Sequence, residues 1–304
     1  MVMNSSKFEV DFFVVGMQRA ATTSISKYLG AHPNIIVSNP KEPHYFSDDF
    51  PEIRAVDSID EYKALYAEPN KKNSILGEAS TGYLFSTVAI NNLKKHNPAA
   101  KIIVLLRNPV DMIHSLHAHL LFCGHEDIAD FEEAWELQEE RKKGRLLPQD
   151  PRYHPFLQYY DVGCVGTQVK NLLEIFPREQ VKFELFDNFI RNPEVIYKDI
   201  LTFLGLTYDG RKDFFQVNQN MTYMLPFYYQ MRKQLSWKTR CRFAKLHNKF
   251  GIGGHLARRL FSSNKKSPRL AHEMRIRLSK IYYEEINLLS ILIQQDLKHW
   301  NDFE

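Results

Sequence analysis

Two stretches of the chain are apolar with little alternation, Asp11-Phe-Phe-Val-Val-Gly16 and Lys101-Ile-Ile-Val-Leu-Leu106, and a third, Gln180-Val-Lys-Phe-Glu-Leu-Phe186, sets Lys182 and Glu184 among its apolar positions. A strand with one wet face alternates apolar and polar residues, and a strand covered on both faces does not, so these read as buried parallel strands. Ile35-Ile-Val37 and Ile75-Leu-Gly77 are shorter candidates of the same kind. Helical patterns follow: Thr22 to Leu29, Pro109 to Phe122 and Pro193 to Leu204. Pro109 and Pro193 stand where proline favours a helix start, with Asn108 and Asn192 before them as N-caps. Near the end, Ile276, Ile281, Ile286, Leu289 and Ile293 recur at helical spacing within Pro268–Trp300, which predicts a core-facing helix. Alternating strands and helices predict an α/β fold, a mostly parallel central sheet flanked by helices. No internal repeat or low-complexity linker divides the 304 residues, so a single domain over 1–304 is expected.

Composition narrows the class. Apolar residues make up 44% and charged residues 25%, with 13 Gly and 14 Pro, which excludes a disordered or collagenous chain. A chain this long buries a large core without disulfides or metals. No apolar run reaches the ~20 residues of a membrane-spanning helix. Met1 to Asp11 lacks the basic-then-apolar pattern of a signal peptide, so a cytoplasmic location is expected. Cys123, Cys164 and Cys241 are far apart and without CxxC spacing, which indicates neither a disulfide framework nor a zinc site. The net charge of +4 hides an asymmetry: Gly210 to Lys280 holds 17 Lys/Arg against Asp213 and Glu273, or +15, leaving 4 − 15 = −11 for the rest. Such a tract suits an anionic partner (nucleic acid, membrane headgroup or anionic ligand) or a solvated basic face, and charge alone does not choose.

The most informative stretch is Gly16-Met-Gln-Arg-Ala-Ala-Thr-Thr-Ser24, between the first strand and the first helix. Small residues let backbone amides approach a phosphate, and the helix start adds unpaired N–H groups and a positive dipole end. Thr22, Thr23 and Ser24 add hydroxyls, and Arg19 adds a fixed charge. The nucleotide-triphosphatase pattern GxxxxGK(S/T) fails twice here, because Ala21 replaces the second glycine and Thr22 the lysine. GxGxxG is absent too. The turn therefore reads as an anion cradle of another kind, or as an ordinary strand-to-helix turn with hydroxyl caps. A second segment, Leu105-Leu-Arg-Asn-Pro-Val-Asp-Met-Ile-His-Ser115, again runs from a strand end into a helix. Arg107 falls at the carboxyl end of its strand, where open α/β sheets bind ligands. Ser115 follows about two helical turns later. Two strand-end anion sites suggest a ligand with two phosphate-like groups.

The pairing of the Gly16–Ser24 turn with Arg107-Asn-Pro-Val-Asp…Ser115 resembles the sulfotransferases that use 3′-phosphoadenosine 5′-phosphosulfate (PAPS). Lys41-Glu-Pro-His-Tyr-Phe46 is similar to the KExxFF segment of their heparan-sulfate-type branch, and Gly77-Glu-Ala-Ser-Thr-Gly-Tyr-Leu-Phe85 to its GEKSPxYF-like segment. Tyr160-Asp-Val-Gly, Phe186-Asp-Asn-Phe, Phe203-Leu-Gly-Leu206 and Tyr282-Tyr…Leu297-Lys-His-Trp300 follow in the family's order. The likeness spans about 10–206 and 270–300. It leaves 207–268 as a basic, variable, substrate-side insertion. The turn departs from the pattern, with Arg19 where the family usually has Lys and Ala21-Thr22 where it has Gly-Thr. Arginine keeps the charge but presents a planar fork rather than a point donor.

The resemblance implies a P-loop-like nucleotide-binding sulfotransferase fold. It also implies a PAPS-dependent sulfotransferase with 3′-phosphoadenosine 5′-phosphate (PAP) as product and no metal. Arg19, Ala20, Ala21, Thr22, Thr23 and Ser24 would hold the 5′-phosphosulfate, and Arg107 and Ser115 the 3′-phosphate. In-line attack by a hydroxyl or amine needs a base, alignment and positive charge on the leaving oxygen. Glu42 is the candidate base, with a pKa expected to be raised by partial burial, or else a surface residue paired with Lys41. His44, two residues on, is the rival, because its ordinary pKa already suits the task. Arg19 would meet the leaving group's charge. The spacing of His114, His117 and His119 does not make a metal pair. The acceptor is expected to be a small molecule such as a bacterial natural product, or else an anionic glycan, with neither nucleic acid nor membrane as partner; Tyr223, Phe227, Tyr228 and Tyr229 would wall a small-molecule pocket or simply pack the core. Two rival readings are a nucleotide-dependent kinase-like enzyme and a non-catalytic polyanion or nucleic-acid binder using the basic tract.

Overall fold

The structure is a computed structural model that describes residues 8–66, 74–214 and 269–301, with the backbone of two short strands at 222–223 and 262–263. Strands β1 (Phe12–Val14), β2 (Ile35–Val37), β3 (Ile75–Ala79), β4 (Lys101–Leu106) and β5 (Val181–Leu185) form one sheet in the order β2-β3-β1-β4-β5. Every pairing in it is parallel, with Phe12 opposite Gly77 on one side and Lys101 on the other. The apolar runs have the expected cause: all three residues of β1 and all of β4 after Lys101 are buried. β6 (Thr222–Tyr223) and β7 (Ser262–Ser263) make a separate antiparallel pair.

The helices are α1 (Thr22–Gly30), α2 (Ile59–Lys63), α3 (Ala89–His96), α4 (Pro109–Cys123), α5 (Phe131–Glu136), α6 (Gln138–Lys142), α7 (Tyr159–Gly163), α8 (Val165–Ile175), α9 (Phe186–Arg191), α10 (Pro193–Leu204) and α11 (His272–Ile293). Those predicted after β1, β4 and β5 match α1, α4 and α10 to within a residue. Asn192 does occupy the position before α10, but its side chain makes no capping hydrogen bond. Its backbone N–H instead closes α9 onto Asn188, so one residue ends one helix and begins the next. The terminal helix is shorter than Pro268–Trp300. It stops at Ile293, and Lys298–Trp300 forms a separate 3₁₀ turn.

The chain gathers into two compact units. The first comprises Met1–Asn108, Val165–Val217 and Glu284–His299 and contains the five-stranded sheet. The second comprises Pro109–Cys164, Asn218–Tyr283 and Trp300–Glu304. Within the second, Glu126 is wholly enclosed and accepts from both Arg141 guanidinium nitrogens (2.6 and 2.7 Å), Tyr159 (2.8 Å) and two backbone amides. A buried ion pair is stable only when its remaining hydrogen-bond capacity is filled in this way. Among the described residues no helix is long and apolar enough to cross a membrane.

Candidate active site

In an open parallel sheet, the loops leaving the carboxyl ends of the strands face a common crevice. β2, β3, β1 and β4 are consecutive in this sheet; predicted segments leave the ends of β1 and β4, and a third, 41–46, follows β2 and crosses the end of β3. The β1 segment is the turn into α1. Gly16 lies against β4 so closely that a Cβ would meet the Leu105 backbone nitrogen at 2.3 Å. The amide of Met17 then donates to the Leu105 carbonyl (2.9 Å), which continues the β1–β4 pairing into the turn. Arg19 and Ala21 both have positive φ (61° and 65°), a conformation side chains avoid unless their surroundings hold it.

Ala21 is the N-cap of α1 and has no side-chain oxygen to offer. The intrahelical bonds begin with Ser24 and Ile25 donating to the Ala21 carbonyl, so Thr22 and Thr23 precede them without an intrahelical acceptor. A helix start without a capping side chain and without an acidic residue in its first turn suits an external anion. Ser24 is buried and its hydroxyl is bonded to Tyr28, so its side chain has an internal partner, whereas Thr23 is half-buried.

Arg107 leaves the end of β4. Its guanidinium donates to the Arg19 carbonyl (2.9 Å) and lies over the Phe186 ring, 4.6 Å from the centroid. The two strand-end segments are thereby tied together. Ser115 is buried on α4 in the second unit.

The third segment crosses the end of β3. Glu42 donates its amide to the Ala79 carbonyl (3.0 Å), His44 to the Ser80 hydroxyl (3.1 Å) and Phe46 to the Tyr83 hydroxyl (3.3 Å). Glu42 and His44 also have positive φ (62° and 50°). Of the six non-glycine residues with positive φ among the described residues, four therefore belong to the two motif segments. The Glu42 carboxylate is 33% exposed and pairs with the Lys41 ammonium on one oxygen. Its other oxygen meets His44 Nε2 and the Thr81 hydroxyl, both at 3.3 Å. His44 is 4% exposed and its Nδ1 is buried without a hydrogen-bond partner.

The expected rise in the Glu42 pKa is not found. Burial pushes it up, but the Lys41 ammonium and the His44 imidazole outweigh that and hold the carboxyl well below its usual range. Glu42 is thus a carboxylate at neutral pH, accessible on one side and backed by histidine on the other. Lys41, Ser80 and Thr81 are in contact with this pair or its backbone, and Glu78 stands behind Ser80, although residue typing by itself did not single out Ser80, Thr81 or Glu78. A usable signal was present: Glu78 is the one charge in the otherwise apolar and small run Ile75-Leu-Gly-Glu-Ala79. Among the described residues no group of three or more His, Cys, Asp or Glu is placed to hold a metal ion. Most of the basic tract lies outside the described residues, as do the side chains of Tyr223, Phe227, Tyr228 and Tyr229.

An all-parallel sheet whose carboxyl edge carries an uncapped helix start and a carboxylate–histidine pair places the protein with the open α/β folds. Within them the chain belongs to the sulfotransferase family, whose domain matches residues 9–287. The crystal structure of a sulfotransferase from Alicyclobacillus acidocaldarius is 27% identical, covers 96% of this chain and 99% of its own, and superposes with a TM-score of 0.71. The human bifunctional heparan sulfate N-deacetylase/N-sulfotransferase 3 is 27% identical over 221 residues, which are 67% of this chain and 24% of that protein. The human N-deacetylase/N-sulfotransferase 2 is 33% identical over 203 residues, 64% of this chain and 22% of its own length. This chain therefore spans about a quarter of these two relatives.

Proposed function

We propose that the protein transfers a sulfuryl group from PAPS to a hydroxyl or amine, with Glu42 as general base. The carrying observation is the Glu42–His44 pair: the carboxylate is open to an acceptor while the imidazole behind it is buried. When bound, the donor supplies a sulfuryl group already activated by its bond to phosphate. The α1 start fits an anion of this kind, because Ala21 leaves the first helix amides uncapped. Arg19 and the stretch Ala20–Ser24 would hold the 5′-phosphosulfate. Arg107 and, on the motif alone, Ser115 would hold the 3′-phosphate. Glu42 takes the acceptor proton while His44 orients the carboxylate through Nε2. Arg19 stabilises charge on the leaving side, worth about 3 kcal/mol for a preorganised donor.

Calorimetry with PAP, ATP and adenosine 5′-phosphate in magnesium-free buffer tests the donor. Micromolar PAP binding that needs the 3′-phosphate and weakens in Arg107→Ala is the expected result. Equal or absent binding of all three sinks the reading, and preference for ATP revives the kinase-like one. For the acceptor, the aromatic stretch at Tyr223–Tyr229 supports a small molecule. The excess of 17 basic over two acidic residues in 210–280, together with the heparan sulfate relatives, supports an anionic glycan. Assaying a neutral aromatic alcohol against a carboxylated glycan separates the two.

A further inference from the structure

Glu78 lies on β3 opposite Phe13 and is 1% exposed. Its carboxylate accepts from Tyr62, from Ser80 (Oγ–Oε1 2.7 Å) and from Tyr83. The last two hydroxyls are the ones that receive the amides of His44 and Phe46. A hydroxyl has one proton and two lone pairs, so whichever partner takes the proton decides which way the lone pairs face. Because Ser80 and Tyr83 give their protons to Glu78, their lone pairs are turned to the chain segment 42–46. Without a carboxylate behind them, either hydroxyl could point its proton at an amide N–H, which places donor against donor. The segment so held contains both Glu42 and His44, each at positive φ, a conformation that persists only where neighbours enforce it.

We propose that Glu78 is a positioning residue for the active site: by orienting the Ser80 and Tyr83 hydroxyls it fixes the backbone that presents Glu42 and His44. The role rests on the Glu42–His44 reading for its catalytic consequence, but its structural part can be measured without donor or acceptor. Tyr62, whose hydroxyl is 3.0 Å from that of Tyr66 and whose ring stacks on Tyr45 of the same segment, adds a further donor to Glu78 and leaves the carboxylate enclosed by donors. Glutamine at 78 keeps the size but puts an NH₂ where one hydroxyl now donates, so it reverses at least one of these bonds.

Amide hydrogen exchange by NMR on the ligand-free protein reads this directly. In Glu78→Gln the amides of His44 and Phe46 should exchange about tenfold faster or more, as expected for loss of one hydrogen bond each. The Glu42 amide, which bonds a backbone carbonyl, should keep its protection. Ser80→Ala should release His44 alone and Tyr83→Phe should release Phe46 alone, so the inference stays testable if Glu78→Gln fails to fold. In Glu78→Gln and Ser80→Ala kcat should fall about 100-fold with the KM for PAPS unchanged, the signature of a misplaced reacting group. Exchange at the wild-type rate in all three variants overturns the inference whatever the activity. Faster exchange with kcat intact overturns the positioning role as well. Faster exchange and lost kcat, alongside wild-type kcat in Glu42→Gln, supports Glu78 as the organiser of the segment and removes Glu42 as the base.

Discussion

At the scale of single residues, the chemistry concentrates where the backbone is least comfortable. Arg19, Ala21, Glu42 and His44 hold positive φ without being glycine, and they belong to the segments expected to carry donor and base. Glu42→Gln should lower kcat by about 10²–10⁴-fold with little change in KM, as for loss of a general base. The pH dependence has a definite sign. The proposed base would work as the carboxylate, and Lys41 and His44 keep Glu42 ionised below its usual range, so the acid limb of kcat/KM should fall below about pH 4. Lys41→Met removes the largest of the lowering influences and should move that limb upward. Arg107→Ala should weaken PAP binding about tenfold or more, the worth of a hydrogen bond to a charged group. Because Arg107 also bonds the Arg19 carbonyl, some loss of kcat should accompany it.

At the scale of elements, the turn from β1 into α1 depends on one close approach. A methyl group on Gly16 would collide with the Leu105 backbone, which has no flexible end to swing aside. Gly16→Ala should destabilise the protein by about 3 kcal/mol, the upper part of the overpacking range, readable as a lowered Tm. In the second unit, Asp150 is 2% exposed, pairs with His125 (2.6 Å) and Arg152, and caps the turn Pro151–Leu157. Burial raises its pKa, but His125 and Arg152 bring it well below the usual carboxylate range. The folded state therefore binds fewer protons than the unfolded one. The resulting stability is present above the unfolded value near 3.8 and is lost as pH falls through the folded value. Asp150→Asn should cost about 3 kcal/mol at neutral pH, and the difference in Tm from wild type should shrink below about pH 4.

At the scale of the whole molecule, the charge division between Gly210–Lys280 and the rest bears on the acceptor. If an anionic glycan is sulfated, its KM should rise several-fold between about 50 and about 200 mM salt, because exposed charges are screened over that range. A neutral acceptor should show little such change. Much of the fold was legible beforehand: strands covered on both faces read as apolar runs, which marked β1, β2 and β4, and Gln180–Phe186 marked β5 although Lys182 and Glu184 interrupt it, with ends agreeing to within two residues. β3 was cut short at Gly77 because a buried Glu78 breaks the pattern. Its burial is tolerable only because Tyr62, Ser80 and Tyr83 converge on it, and those partners come from positions 2 to 16 residues away. By itself the sequence determined the element types, the parallel sheet and the motif residues, all of which follow from local periodicity and residue chemistry. Only the tertiary structure decided that Glu42 is held ionised instead of raised in pKa, that Arg107 is tied to the Arg19 carbonyl, and that Glu78 stands behind the hydroxyls that hold segment 42–46. Electrostatic balance and hydrogen-bond direction depend on which groups the sheet brings within about 3 Å of one another, and sequence spacing does not contain that distance.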